Sequence, residues 1–160
     1  MTSKRAAEQP FNRTYTLSEA QSLASFEIVL PSYVPSETSA EPEIFYAAEG
    51  ATPEGLRVVF SPENSNAGEE QGLRITILEA PGDFSLPQTY RAEVVQIGGV
   101  PVELAMDPAD EDEARIMTAW KASGTGFGVE FFWLSGGSAE GIITADMRKD
   151  MIRVIESMIE

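Results

Sequence analysis

Hydrophobic positions along this chain follow two periods, one helical and one alternating. Near the amino end Leu17, Ala20, Leu23 and Ala24 recur at helical spacing. Thr16 and Glu19 stand in front of them in the Thr-x-x-Glu arrangement of a capping box, so the spacing predicts a helix starting at Leu17. Phe26, Ile28 and Leu30 then alternate with Glu27 and Val29, which predicts a strand closed off by Pro31 and Pro35. At the other end Met147, Met151, Val154, Ile155 and Met158 make an apolar stripe with Arg148, Lys149, Arg153 and Glu156 opposite. That pattern predicts an amphipathic helix of about four turns, for which Thr144 can serve as cap.

Between these ends the alternation is that of strands. Residues 44–49 carry Phe45 and Tyr46, and the turn signal Pro53-Glu54-Gly55 leads into residues 56–60, a first hairpin. A polar loop over 62–72 precedes a strand at 73–78, and an irregular crossing at 81–87 precedes residues 90–97 and 100–106. Gly98-Gly99 separates those two runs and is the strongest hairpin signal in the chain, because both central residues of such a turn take positive φ. Residues 115–121 and 127–134 follow, joined by Ser123-Gly124-Thr125-Gly126. In the last run Phe127, Val129, Phe131 and Trp133 share one face while Phe132 and Leu134 take the other, as expected of a central strand.

The expected architecture is α+β: a twisted, mostly antiparallel sheet of six to eight strands, with an N-terminal and a C-terminal helix packed on one face. Residues 14–160 form the single domain, and residues 1–13 read as a flexible tail or linker stub. The apolar face is expected to collect Leu56, Val58, Phe60, Ile75, Ile77, Val94, Val102, Leu104, Ile116, Trp120, Phe131 and Trp133. The other face takes Arg57, Arg74, Arg115 and Lys121 together with Glu93, Glu103 and Glu130, arranged to pair across strands.

Composition narrows the function. With 160 residues and 42% hydrophobic content the chain can bury a stable core without staples. It has no cysteine and no histidine, which removes disulfides, thiolate nucleophiles, Cys/His zinc sites, haem ligation by these residues and Ser-His-Asp triads. Eleven basic residues against 26 acidic ones give a net charge of −15, a surface that repels phosphate backbones and anionic headgroups, so nucleic acid is not an expected partner. No stretch reaches the ~20 apolar residues of a membrane-spanning helix, and the start MTSKRAAEQP lacks the apolar core of a signal peptide.

Candidate chemistry is sparse. Asp107, Asp110, Glu111, Asp112 and Glu113 form an acidic loop rich in oxygen donors, yet without the order of a calcium loop. Glu49, Glu54, Glu130 and Glu140 are available for a carboxylate pair, and no spacing singles out two of them. Gly124, Gly126 and Gly128 lack the lysine and the strand-to-helix setting of a phosphate loop and read as a turn. Trp120, Phe127, Phe131, Phe132 and Trp133 could line an apolar groove for a ligand or partner, or simply pack the core. No catalytic residue, cofactor site or metal site is assigned.

Two blocks carry a family resemblance. Leu17-Ser18-Glu19-Ala20-Gln21 through Leu30-Pro31-Ser32-Tyr33-Val34-Pro35 is similar to the opening of a bacterial domain-of-unknown-function family. Trp120, the aromatic strand over 128–134 and the close Val154-Ile155-Glu156-Ser157-Met158 resemble its end. The resemblance implies an extracytoplasmic, membrane-anchored protein of anti-sigma-factor-like or lipoprotein-like type, distantly similar to sigma-E regulator and lipoprotein-carrier half-barrels. The sequence departs from the family pattern in that no stretch of these residues reads as an anchor, as expected of the soluble part of a membrane-anchored protein, and in having Val34 where leucine is usual. The function expected from the resemblance and the missing catalytic residue types is a non-enzymatic extracytoplasmic binding or sensory domain with a protein partner. The alternatives are a carrier of a lipophilic ligand or lipoprotein in a half-barrel groove, and a small acidic intracellular chaperone for a basic client; the expected localisation is extracytoplasmic, with cytoplasmic as the alternative.

Overall fold

The computed structural model describes residues 13–35, 38, 41–48, 50, 53–61, 72–82, 86, 92–110, 113–134 and 145–159, with 72, 106–110, 113–114, 133–134 and 145–147 described by backbone alone. In chain order the elements are β1 (Thr14–Tyr15), α1 (Leu17–Leu23), β2 (Glu43–Ala47), β3 (Gly55–Phe60), β4 (Gly72–Pro81), β5 (Glu93–Ile97), β6 (Val100–Asp110), β7 (Glu113–Ala122), β8 (Thr125–Leu134) and α2 (Ala145–Ile159). The strands form one eight-stranded sheet in the order β1-β2-β3-β4-β8-β7-β6-β5, every pairing antiparallel. Two meanders, β1 to β4 and β5 to β8, thus join through β4 and β8, and β1 and β5 form the two edges.

Alternation decides which residues enter the core. Leu56, Val58 and Phe60 on β3 share a face with Leu73, Ile75 and Ile77 on β4, Phe127, Val129 and Phe131 on β8, Ile116 and Trp120 on β7, and Val102 and Leu104 on β6; all are buried. α2 adds Met151, Val154, Ile155 and Met158 to the same cluster, with Lys149, Arg153 and Glu156 exposed. The Met147 side chain and Thr144 lie outside the described residues.

Both glycine-marked turns have positive-φ geometry. Ile97 pairs with Val100 around Gly98 (φ 57°) and Gly99 (φ 81°), and Ala122 pairs with Thr125 around Ser123 (φ 52°) and Gly124 (φ 81°). Gly126, expected in the second turn, is instead a buried strand residue opposite Lys121.

Four expectations need correction. The Gly98-Gly99 turn sets Val95 against Val102, so Val95 and Ile97 turn inward and Val94 is 63% exposed. Glu93 shares that inward parity and meets Arg148 of α2 at the sheet edge instead of pairing on the far face. α1 is correctly capped, with Thr16 N–H donating to Glu19 and Glu19 N–H to Thr16 Oγ1, but it buries only Ala20 and leaves Leu17 42% and Leu23 54% exposed. A helix of seven residues, beside β1 and β2, is too short to present a full stripe inward. Finally, residues 107–110 and 113 belong to strands and not to a loop: Asp110 pairs with Glu113, with a register irregularity between Asp107 and Asp110. The acidic side chains considered for calcium lie outside the described residues.

On the far face, Arg115 Nε lies 3.9 Å from Glu130, and the Arg115 guanidinium sits 5.0 Å over the Phe132 ring. Such half-exposed pairs contribute about 1 kcal/mol or less each.

Candidate functional site

Residues 25–34, where alternation predicts a strand over 26–30, run between the helices as an irregular segment that joins no sheet, although Phe26 and Ile28 are buried as the alternation predicts. The backbone of this strap is tied by side chains. Gln21 donates to the Phe26 carbonyl (2.9 Å) and accepts from Ile28 N–H (2.8 Å), doing with one amide what a neighbouring strand would do. Val29 N–H donates to Glu79 Oε1 at 2.9 Å, and Ser32 and Tyr33 N–H reach Ser157 Oγ on α2 at 3.2 and 3.3 Å. Tyr33 also carries Arg153 4.0 Å over its ring.

Two buried carboxyl groups anchor the strap's first half. Glu54, 9% exposed, accepts from Ser25 N–H (3.0 Å), Ser25 Oγ and the Tyr46 hydroxyl, while that hydroxyl also lies 3.1 Å from the Leu23 carbonyl. Burial acts against ionising Glu54, but the bonds from Ser25 and Tyr46 outweigh it and hold its pKa below the ordinary carboxylate value. Burial first, and then the Glu54 bond and charge, push the Tyr46 phenol up to about 12.

Glu79 has the opposite character. It is 1% exposed, on the core face of β4 opposite Phe127, and burial raises its pKa to about 8 while the single bond from Val29 works the other way. Its Oε2 is buried without a hydrogen-bond partner. At neutral pH the group is thus mostly a neutral acid, which is how a lone buried carboxyl avoids the cost of a naked charge.

Beside Glu79 a cleft of about 520 Å³ opens. The strap forms one wall with Ser25, Phe26, Glu27 and Val29; the β7–β8 hairpin forms another with Trp120, Ser123 and Phe127; Met158 and Ile159, the last residues of α2, close the third. Trp120 and Phe127 are stacked, with ring centroids 5.3 Å apart and planes within 14°. A smaller recess of about 240 Å³ adjoins it, shares Ser25 and Pro81, and has Glu54 in its wall.

Of the aromatic residues singled out as a ligand or partner surface, the fold brings Trp120 and Phe127 to this cleft. Phe131 is wholly buried deeper in the core, Phe132 lies on the far face under Arg115, and the Trp133 side chain lies outside the described residues, its backbone pairing with Leu73 and Ala114. Of the glutamates considered for a pair, Glu54 is buried among hydrogen bonds, Glu130 faces Arg115, and Glu49 and Glu140 lie outside the described residues. Glu79 was not legible as a site residue, although it continues the inward parity of Leu73, Ile75 and Ile77 and so stands as a carboxyl where a hydrophobe is due. Among the described residues no group of His, Cys, Asp and Glu is placed to hold a metal ion, and no helix is long and apolar enough to cross a membrane. No family model, no curated protein and no solved structure matches this chain.

Proposed function

We propose that this chain is a non-enzymatic binding domain and that the cleft between the strap, the β7–β8 hairpin and the end of α2 holds an apolar ligand. The observation that carries this reading is the cleft itself: its volume lies in the range of small-molecule sites, and its walls are mainly apolar and aromatic with a few polar groups. In this reading both helices cover the same side of a twisted sheet, and the site lies where that cover ends.

The two buried carboxyl groups favour binding over catalysis. Glu54 has both oxygens engaged by Ser25 and Tyr46, and its lowered pKa makes it a weak base toward the Ser25 hydroxyl. Glu79 spends its one bond on the strap backbone. Both act as ties. The extracytoplasmic setting and a sensory role with a protein partner rest on the resemblance of the two sequence blocks alone, which is why ligand binding stands first.

Native mass spectrometry of gently purified protein tests the proposal, together with titration of a medium-chain alcohol followed by Trp fluorescence. The expected result is a one-to-one complex whose signal is lost in Trp120→Phe. A protein that takes up no apolar molecule by either measurement would refute it.

A further inference from the structure

We infer that the ligand of this cleft is a cationic amphiphile, an alkyl chain or other apolar body bearing an ammonium group, and not a fatty acid or other anionic lipid. This inference rests on the binding reading above and specifies the chemical class that the site selects.

Three features at the cleft share one sign, and a fourth is an unpartnered polar atom. Glu27 is an exposed carboxylate in its wall. Glu54 lines the recess that opens beside it and is held in its ionised form by Ser25 and Tyr46. Glu79, mostly neutral, adds no full charge, but its Oε2 is buried without a partner next to cleft-lining residues: Val29, which it binds, Phe127, its register partner on β8, and Pro81, two positions along on the same face; its β3 partner Leu56 lies away from the cleft. The carboxyl end of α2 supplies Met158 and Ile159, and no basic residue stands in its last turn to offset the partial negative charge of the helix terminus.

No Lys or Arg is among the described residues lining either cavity. An anionic headgroup would therefore enter a site that offers it, among the described lining residues, carboxylates and carbonyl ends and no cation, a mismatch that excludes ligands as effectively as a steric clash. An ammonium meets the reverse. The stacked Trp120–Phe127 pair accommodates the apolar body, and aromatic faces attract cations as well. The overall charge of −15 draws such a ligand in from solution.

The test compares three ligands with one tail length, octyltrimethylammonium, octanol and octyl sulfate, below their aggregation thresholds. Binding is read by titration calorimetry, with circular dichroism to verify that the protein stays folded. The ammonium should bind about tenfold tighter than the sulfate at moderate salt, with octanol between them, a ratio in line with one carboxylate at close range in a partly solvated site. Glu27→Gln, a change at an exposed residue, should narrow the ratio, and Glu27→Lys should invert it. Equal affinities, or the sulfate binding tightest, would overturn the headgroup assignment and leave the binding reading standing. A preference for the ammonium untouched by both Glu27 variants would overturn the placement of the headgroup in this cleft. Failure of all three ligands to bind would overturn the binding reading and this inference with it.

Discussion

Glu79 holds Val29 across the core side of the sheet, its Oε1 accepting the Val29 N–H at 2.9 Å while its other oxygen has no partner. This bond fixes the strap that walls the cleft, while the burial of the same carboxyl group makes stability depend on pH in an unusual direction. The folded pKa of about 8 lies above the ordinary 4.5, so the native state binds the proton more tightly than the unfolded chain. The stabilising contribution is complete below about pH 4.5, declines as pH rises, and is lost by the time pH passes the folded value. The size of the loss is on the order of 5 kcal/mol. Glu79→Gln keeps an acceptor for Val29 and removes the titration, so its unfolding free energy should stay level between pH 5 and pH 9 where that of the parent falls. Urea melts across that range would show parallel curves if Glu79 titrates normally.

Glu54 gives the opposite sign. Its folded pKa is depressed, so its contribution is present above the ordinary carboxylate range and lost as pH falls through the folded value. Tyr46→Phe removes one of the bonds that hold the charge, at a cost of about 1.5–3 kcal/mol. The deficit relative to the parent should shrink in acid as Glu54 takes up its proton. Hydrogen exchange at the Ser25 amide, which donates to Glu54, should quicken in the variant at neutral pH.

The two positive-φ turns should respond in opposite ways to substitution. At Gly98 a Cβ would come within 3.0 Å of Ile159 Cγ2 and sit at φ 57°, so Gly98→Ala should destabilise the protein. Strain and contact together are expected to cost about 1–2 kcal/mol. Ser123 already occupies φ 52° with a side chain that gains nothing there, so Ser123→Gly should be neutral to stabilising, by up to about 1 kcal/mol. Thermal melts of the pair would separate these outcomes, and equal losses would count against the turn geometry.

Ile155 is fully buried in the core cluster, one position before the exposed Glu156. Ile155→Ala should cost about 2–5 kcal/mol, and Glu156→Ala should fall within about 0.5 kcal/mol of the parent. Chemical denaturation measures both. A mild Ile155→Ala would mean that α2 is not the cover of this core.

Much of the local structure is written in short stretches of residues. The capping box needs only Thr16 and Glu19, the β5–β6 turn only Gly98 and Gly99, and the inward row of β8 only the alternation of Phe127, Val129 and Phe131; each is a contest between neighbours in the chain, so nearby residues settle it. The exposure of Val94 was readable by the same logic, since a two-residue turn between Ile97 and Val100 puts Val95, and not Val94, on the side of Val102. What only the tertiary structure decided are relationships between distant residues: β8 inserting beside β4, the strap finding its hydrogen-bond partners in Gln21, Glu79 and Ser157, and a cleft forming where Trp120 and Phe127 meet Met158. Those depend on long-range closure and on polar side chains taking the place of backbone partners. Hydrophobic period carries no record of either.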